Sequence, residues 1–131
     1  MVKQKMKLLI IDDEKDICSF MKSVLAKRGF AVYTAQTGAR AIPLAKRVKP
    51  DMALIDIHMP RGESGIEILQ KLLKVNPECK CIMTSWDKTR ALQAKKLGAS
   101  GVLIKPAQIE DLEKVVSKAA QKLITTRCRH V

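Results

Sequence analysis

Short apolar runs recur along the chain, and the clearest of them are 8–11, 52–55 and 102–104. Runs of that length, without alternating polar residues, indicate strands that are buried on both faces. In the segment 30–35, apolar and polar residues alternate, as in a strand with one buried face. The segment 80–84 is a further apolar run. The pattern therefore predicts five strands, at 6–12, 30–35, 51–56, 80–84 and 101–104.

Apolar residues at helical spacing fill the segments between the first strands. Positions 17, 20, 21, 24 and 25 form one apolar stripe, and Gly29 is a typical residue for ending that helix. A second helix opens at Thr37 and runs to about residue 48. Pro43 interrupts it, so we expect a kink or a late start there.

The second half of the chain continues the alternation. Ser64 and Glu67 form the capping box of a third helix, which ends at 76–77, and further helices are predicted at 88–97 and 108–125. Alternating strands and helices predict an α/β fold, a doubly wound parallel sheet with helices on both faces. We expect one domain over residues 1–125. Residues 126–131 are predicted to be a basic tail or the start of a linker.

Length and composition exclude several classes of protein. A chain of 131 residues with 47% hydrophobic residues fits one domain with a real core. It contains no apolar stretch of about 18 residues and no signal-peptide pattern, so we expect a cytoplasmic protein without a membrane segment. Its cysteines lack zinc-site spacing and are expected to be reduced: Cys18, Cys79 and Cys81 as structural residues, and Cys128 as an exposed thiol.

The formal net charge of +12 is unevenly distributed, because no acidic residue lies between Asp16 and Asp51. This basic stretch could contact nucleic acid or an acidic protein, or it could be an ordinary solvated surface. Only 3% of the residues are aromatic, which leaves little for bases to stack on. We therefore do not expect direct nucleic-acid binding.

Charged or hydroxyl-bearing residues occur where the predicted strands end. Asp12 and Asp13 follow the first strand, Asp56 ends the third, Thr84 the fourth, and Lys105 follows the fifth. The carboxyl ends of parallel strands meet at one edge of a sheet, so we expect these groups to share a pocket. Three neighbouring carboxylates need a cation to stay ionised, and Mg²⁺ suits a site that leaves positions open for phosphate oxygens.

A carboxylate, a metal, a lysine and a hydroxyl together describe phosphoryl transfer onto an aspartate. Asp56 is the candidate acceptor because it lies on a central strand. Taken singly, each residue has an ordinary alternative: Asp12 or Asp13 could cap a helix, and Lys105 could be solvated. A phosphohydrolase with Asp56 as transient nucleophile is another alternative, but such enzymes carry a second aspartate at the position that His58 occupies here. We expect no enzyme beyond self-phosphorylation and slow self-dephosphorylation.

Five short motifs follow one another along the chain: IDDE at 11–14, IDIHMP at 55–60, MTS at 83–85, GA at 98–99 and IKP at 104–106. In the order and spacing of these motifs, the chain resembles the receiver domain of two-component response regulators over nearly its full length. This resemblance implies a flavodoxin-like (βα)5 fold with strand order 2-1-3-4-5, and a phosphoryl group accepted at Asp56 from a sensor histidine kinase or phosphotransfer protein. It implies that Thr84 and Lys105 contact the phosphoryl oxygens and signal to the surface of helix four, strand five and helix five.

The same resemblance implies a metal-ligand set. Asp13 and Asp56 would bind Mg²⁺ directly, together with the backbone carbonyl of His58, while Asp12 would act through water. In this family, the positions two after the acceptor and two after the threonine tune hydrolysis of the acyl phosphate. They are His58 and Trp86 here, and our hypothesis is that Trp86 slows hydrolysis by shielding the phosphoryl group.

The chain departs from the family pattern at several positions. Val102 stands where strand five usually carries Tyr or Phe, and Ala107 stands where Phe is common. The loop 60–65 is one residue longer than usual, and the stretch 84–105 is about one residue shorter. Switching could therefore be altered. A receiver-like scaffold that works by protein contact without phosphorylation remains an alternative.

Charges on the last two helices suggest a further partner. Acidic Glu110, Asp111 and Glu113 and basic Lys95 and Lys96 could pair across a symmetric homodimer through helix four, strand five and helix five. They could equally be solvated, since exposed pairs contribute little stability. The output domain or target protein is not indicated by any motif.

Overall fold

The computed structural model describes residues 5–60 and 62–129, with side-chain exposure as far as residue 126. Strands and helices alternate throughout this part of the chain. The strands are β1 Lys7–Ile11, β2 Ala31–Ala35, β3 Met52–Asp56, β4 Lys80–Ser85 and β5 Gly101–Ile104. The helices are α1 Lys15–Lys27, α2 Gly38–Val48, α3 Gly65–Val75, α4 Lys88–Lys96 and α5 Ile109–Arg129.

The strands form one parallel sheet in the order β2-β1-β3-β4-β5. This confirms the predicted flavodoxin-like fold. One apolar core lies between the sheet and helices α1 and α5, and a second lies between the sheet and helices α2, α3 and α4. Because β3 is covered on both faces, all five of its residues are buried, which explains its continuous apolar run.

The first two helices begin and end close to the predicted positions. Gly29 follows α1 with a φ of 95°, a left-handed conformation that glycine adopts without strain. The hydroxyl of Thr37 accepts a hydrogen bond from the Arg40 backbone N–H at 3.2 Å and caps α2. Helix α2 begins at Gly38 and contains Pro43, so the late start that we considered does not occur.

Helices α3 and α5 differ in how well their limits were predicted. Ser64 caps α3 by accepting a hydrogen bond from the Glu67 backbone N–H at 3.2 Å, as the capping box predicts. Helix α5 continues to Arg129, beyond the predicted end at residue 125. Residues 126–129 include no Gly or Pro that would end a helix. Residues 130 and 131 of the predicted tail lie outside the described part of the chain.

The cysteines with described side chains are buried and unpaired: Cys18, Cys79 and Cys81. Burial, reinforced by the nearby charge of Asp12, raises the pKa of Cys18 to about 11. Cys128 has no described side chain, so its predicted exposure is not tested. Among the described residues, no helix combines the length and the apolar character needed to cross a bilayer.

Candidate functional site

Three carboxylates converge at the carboxyl-terminal edge of the sheet. Asp12 follows β1, Asp56 ends β3, and one oxygen from each of Asp12, Asp13 and Asp56 lies within 4.8 Å of the others. We call these residues the acidic cluster. Asp12 and Asp56 are buried and Asp13 is half-buried. The fold therefore brings together the carboxylates that the strand ends predicted.

Lys105 supplies the positive charge of the site. Its backbone N–H donates to the Ser85 carbonyl at 2.8 Å, which places it at the end of β5. Its ammonium lies 3.2 Å from a carboxylate oxygen of Asp12 and 3.5 Å from one of Asp56. The peptide bond to Pro106 is cis. With its carboxylates ionised, the acidic cluster carries three negative charges against one lysine, a local net charge of −2.

Electrostatics at Asp56 favour binding of a cation. Burial raises the pKa of this carboxyl, the charge of Asp12 raises it further, and Lys105 opposes both effects. A divalent ion would neutralise the local charge, and carboxylate oxygens are hard donors of the kind that Mg²⁺ prefers. The acidic cluster fits such an ion.

Asp12 also has the local role that we considered as an alternative. One of its carboxylate oxygens accepts a hydrogen bond from the Glu14 backbone N–H at 2.9 Å, at the start of α1. Its other oxygen faces Lys105. Glu14 itself is exposed and forms no side-chain cap. Asp12 thus orients the beginning of the helix and belongs to the acidic cluster at the same time.

Two neighbouring elements position Asp56. Thr84 is its register partner on β4, so the two side chains project from the same face of the sheet. On the other side, Gly65 at the start of α3 packs against the Asp56 backbone, where a side chain would collide with the Asp56 carbonyl oxygen. Glycine is needed at this position because a helix end and a strand end meet without space between them.

An open depression of about 440 Å³ leads to the acidic cluster. Asp13, Asp56, His58, Trp86 and Arg90 contribute to its lining. The Trp86 side chain is 61% exposed, so it stands at the rim and is not packed into the core. The Asp56 carboxylate can therefore be reached from this side.

Ser85 is not among the predicted site residues. This residue is completely buried, and its hydroxyl lies 3.2 Å from the His58 ring nitrogen Nε2 and forms hydrogen bonds with the Asp87 backbone. The pattern Ser-x-Asp before a helix is a known local hydrogen-bonding signal and could have indicated the Asp87 contacts. Nothing in the sequence points to the His58 contact, because it joins the loop after β3 to the end of β4.

Similarity to known proteins covers the whole region that carries the site. The family model for the response regulator receiver domain matches residues 8–117. Sporulation initiation phosphotransferase F of Bacillus subtilis is 32% identical over 114 residues, covering 86% of this chain and 91% of the relative. Chemotaxis protein CheY of Thermotoga maritima is 32% identical over 116 residues, covering 83% of this chain and 96% of the relative.

A solved structure with the same fold is a response regulator receiver domain protein from Clostridium thermocellum. It superposes with a TM-score of 0.82 at 30% identity and covers 91% of this chain and 98% of that one. The similarity thus extends over sequence and fold together, and it includes all three strands whose ends carry the acidic cluster and the lysine.

Proposed function

Because this chain belongs to the response regulator receiver family, we propose that it accepts a phosphoryl group on Asp56 in two-component signalling. The observation that carries the proposal is the acidic cluster with Lys105 beside it, buried at the carboxyl ends of β1, β3 and β5. The Lys105 ammonium contacts two of the three carboxylates, and the excess negative charge that remains is costly without a further cation.

We assign the metal ligands from the residues that line this end of the sheet. Asp13 and Asp56 would bind Mg²⁺ through their carboxylates, His58 through its backbone carbonyl, and Asp12 through water. When bound, the ion neutralises negative charge on the oxygens of the transferring phosphoryl group. The backbone N–H of His58 already donates to a carboxylate oxygen of Asp56 at 3.1 Å, which holds the acceptor side chain in a fixed orientation.

The proposed transfer needs little from the protein beyond position and charge. A carboxylate oxygen of Asp56 forms a bond to phosphorus while the phosphorus–nitrogen bond of a phosphohistidine breaks, and the leaving imidazole takes up a proton. Lys105 would exchange its contact with Asp56 for one with a phosphoryl oxygen, since its ammonium is within 3.5 Å of the acceptor. Thr84 would donate its hydroxyl to another phosphoryl oxygen.

The proposed partners follow from this reaction. Phosphoryl groups would come from a sensor histidine kinase or a phosphotransfer protein, whose histidine reaches Asp56 through the open depression. The acyl phosphate would be lost by slow hydrolysis, and His58 and Trp86 at the rim would set its lifetime. Signalling proteins of this type are not enzymes with turnover of a separate substrate.

Output would use the surface of α4, β5 and α5, where apolar side chains are exposed to solvent. This surface could bind a target protein or a second copy of the chain. Within the described residues, Glu113 forms an ion pair with Arg28, the residue that follows α1, so it is already engaged inside its own subunit. The large apolar residues exposed on this surface, within the described part of the chain, are Leu92, Leu97, Ile104, Ile109 and Ile124.

Incubation with acetyl phosphate and Mg²⁺, followed by intact-mass measurement, tests the proposal. We expect one added phosphoryl group in the wild type and in Asp16→Asn, which removes an exposed acid from the first turn of α1. We expect none in Asp56→Asn or in the presence of EDTA. A gain that survives Asp56→Asn would mean that another residue is the acceptor. No gain in the wild type would favour the scaffold function.

A further inference from the structure

Ser85 lies at the junction of three elements near the phosphorylation site. It is the last residue of β4 and has no exposed surface. Its backbone carbonyl accepts the Lys105 N–H at 2.8 Å, while its hydroxyl contacts His58 at 3.2 Å and the Asp87 backbone at 2.9 and 3.0 Å. One small side chain therefore connects the loop after β3 with the start of α4.

The hydrogen-bonding capacity of the hydroxyl defines the direction of each contact. A serine hydroxyl donates once and accepts twice. Its hydrogen is directed to the Asp87 carbonyl, and one lone pair accepts the Asp87 N–H. The remaining lone pair faces Nε2 of His58, so that ring nitrogen carries a hydrogen and donates it. All three contacts are then satisfied together, as a buried polar group requires.

Both ends of this arrangement are attached to functional parts of the fold. His58 donates its backbone N–H to Asp56 at 3.1 Å, so its position depends on the acceptor. Asp87 caps α4, and its carboxylate accepts the backbone N–H of Thr89 at 2.9 Å and that of Arg90 at 3.4 Å. A continuous hydrogen-bonded chain thus runs from Asp56 to the first turn of α4.

We propose that the His58–Ser85–Asp87 hydrogen bonds couple the state of Asp56 to the first turn of α4. The inference rests on the proposed function, since it requires a ligand at Asp56. The usual aromatic residue of β5 is replaced by Val102, which has no polar atom and no ring to reorient. Ser85 and the His58 side chain are positioning residues in this scheme, because each acts through its neighbours.

Beryllofluoride, an analogue of the phosphoryl group, tests the coupling with Mg²⁺ present. ¹⁹F NMR measures its binding, and amide hydrogen exchange of Thr89 and Arg90 measures the response of α4. In the wild type, we expect the exchange rates of these amides to change by about 5-fold or more on binding, a typical strength of coupling between sites. Ser85→Ala should still bind beryllofluoride, but the change should fall below about 2-fold.

Variants of His58 separate coupling from a merely structural role. His58→Phe keeps a ring but cannot donate, so it should behave like Ser85→Ala. His58→Gln places an amide N–H at a similar reach and should restore most of the response. Thr37→Ala is the matched control, because it removes the cap hydroxyl of α2 without touching this chain of contacts, and it should respond like the wild type.

The outcomes distinguish the coupling from the proposed function. Bound beryllofluoride with a full α4 response in Ser85→Ala and His58→Phe would overturn the coupling while leaving phosphorylation intact. Bound beryllofluoride without any α4 response in the wild type would also overturn it. Absence of bound beryllofluoride in the wild type would refute the proposed function and the coupling together. If Ser85→Ala does not fold, the difference in α4 response between His58→Phe and His58→Gln tests the coupling instead.

Discussion

Removing the charge of Asp56 should stabilise the metal-free protein. In a typical protein, a buried residue that takes part in an ion pair stabilises the fold, and its replacement is destabilising. Here Asp56 is 3% exposed and lies within 4.8 Å of two other carboxylates, and Lys105 is the one ion-pair partner of Asp56 among the residues that the structure describes. We therefore expect Asp56→Asn to raise the free energy of unfolding when no Mg²⁺ is present.

The distances in the site give the size of the effect. At an effective dielectric constant of about 20, like charges 4.8 Å apart repel by about 3.5 kcal/mol. The Lys105 ammonium, 3.5 Å from Asp56, attracts it by about 5 kcal/mol. Two repulsions against one attraction leave about 2 kcal/mol of net repulsion on Asp56, before its desolvation is counted. Asn keeps an oxygen for the His58 N–H, so that hydrogen bond survives.

Urea unfolding followed by circular dichroism measures this difference. In EDTA, we expect Asp56→Asn to be more stable than the wild type by about 2 kcal/mol. Saturating Mg²⁺ should stabilise the wild type by mass action and the variant much less. Asp16→Asn is the matched control, because it changes the net charge equally at an exposed position. It should be neutral or slightly destabilising.

The pH dependence has a definite sign. Because burial raises the pKa of Asp56 above its ordinary value of 3.8 in the fold, the folded state holds this proton more tightly than the unfolded state. The wild type should therefore lose stability as pH rises from the ordinary pKa through the raised one, and Asp56→Asn should lack this loss. The advantage of the variant should be full only above the raised pKa of Asp56 and should disappear below pH 3.8. Equal stability of both proteins in EDTA at pH 7 would refute the reasoning.

Three further outcomes follow from the structure. Trp86→Ala should shorten the lifetime of the phosphorylated protein by about 2- to 10-fold, because it opens the rim of the depression. The loss of phosphoryl mass over time measures this lifetime, and an unchanged or longer lifetime would contradict the shielding role. Gly65→Ala should lower the free energy of unfolding in urea by more than about 3 kcal/mol, since its Cβ would lie 2.5 Å from the Cα of Ile57. A decrease below about 1 kcal/mol would show that the backbone at this position shifts to accommodate the methyl group. Cys18, with a pKa of about 11, should react with iodoacetamide at pH 8 at least about 100-fold more slowly in the native state than after unfolding, as peptide mass mapping would detect.

The positions of the charged residues could be predicted because they depend on strand ends alone. Asp56 and Lys105 are 49 positions apart in the chain, yet each directly follows or ends an apolar run that is visible in the sequence. Parallel strands bring their carboxyl ends to one edge, so the acidic cluster and its lysine follow from the alternation of strands and helices. The structure places them within ion-pair distance.

Side-chain contacts between remote segments of the chain could not be predicted from strand ends. His58 and Ser85 are 27 residues apart, and Arg28 and Glu113 are 85 apart. Neither pair lies in a periodic pattern, because loop geometry and helix packing decide which side chains meet. Helix α5 ends at Arg129, later than the predicted residue 125, because its last residues include arginine, a good helix former.

The sequence by itself determined the order of the elements, the two-sided core and the residues available for phosphoryl chemistry, because burial and strand ends leave local patterns in the chain. Only the tertiary structure decided how the site is connected to its surroundings. The Asp12 carboxylate has two roles, Trp86 stands at the rim, and Ser85 joins two loops. These features depend on distances between segments remote in the chain, which are set by the packing of helices and loops around the sheet.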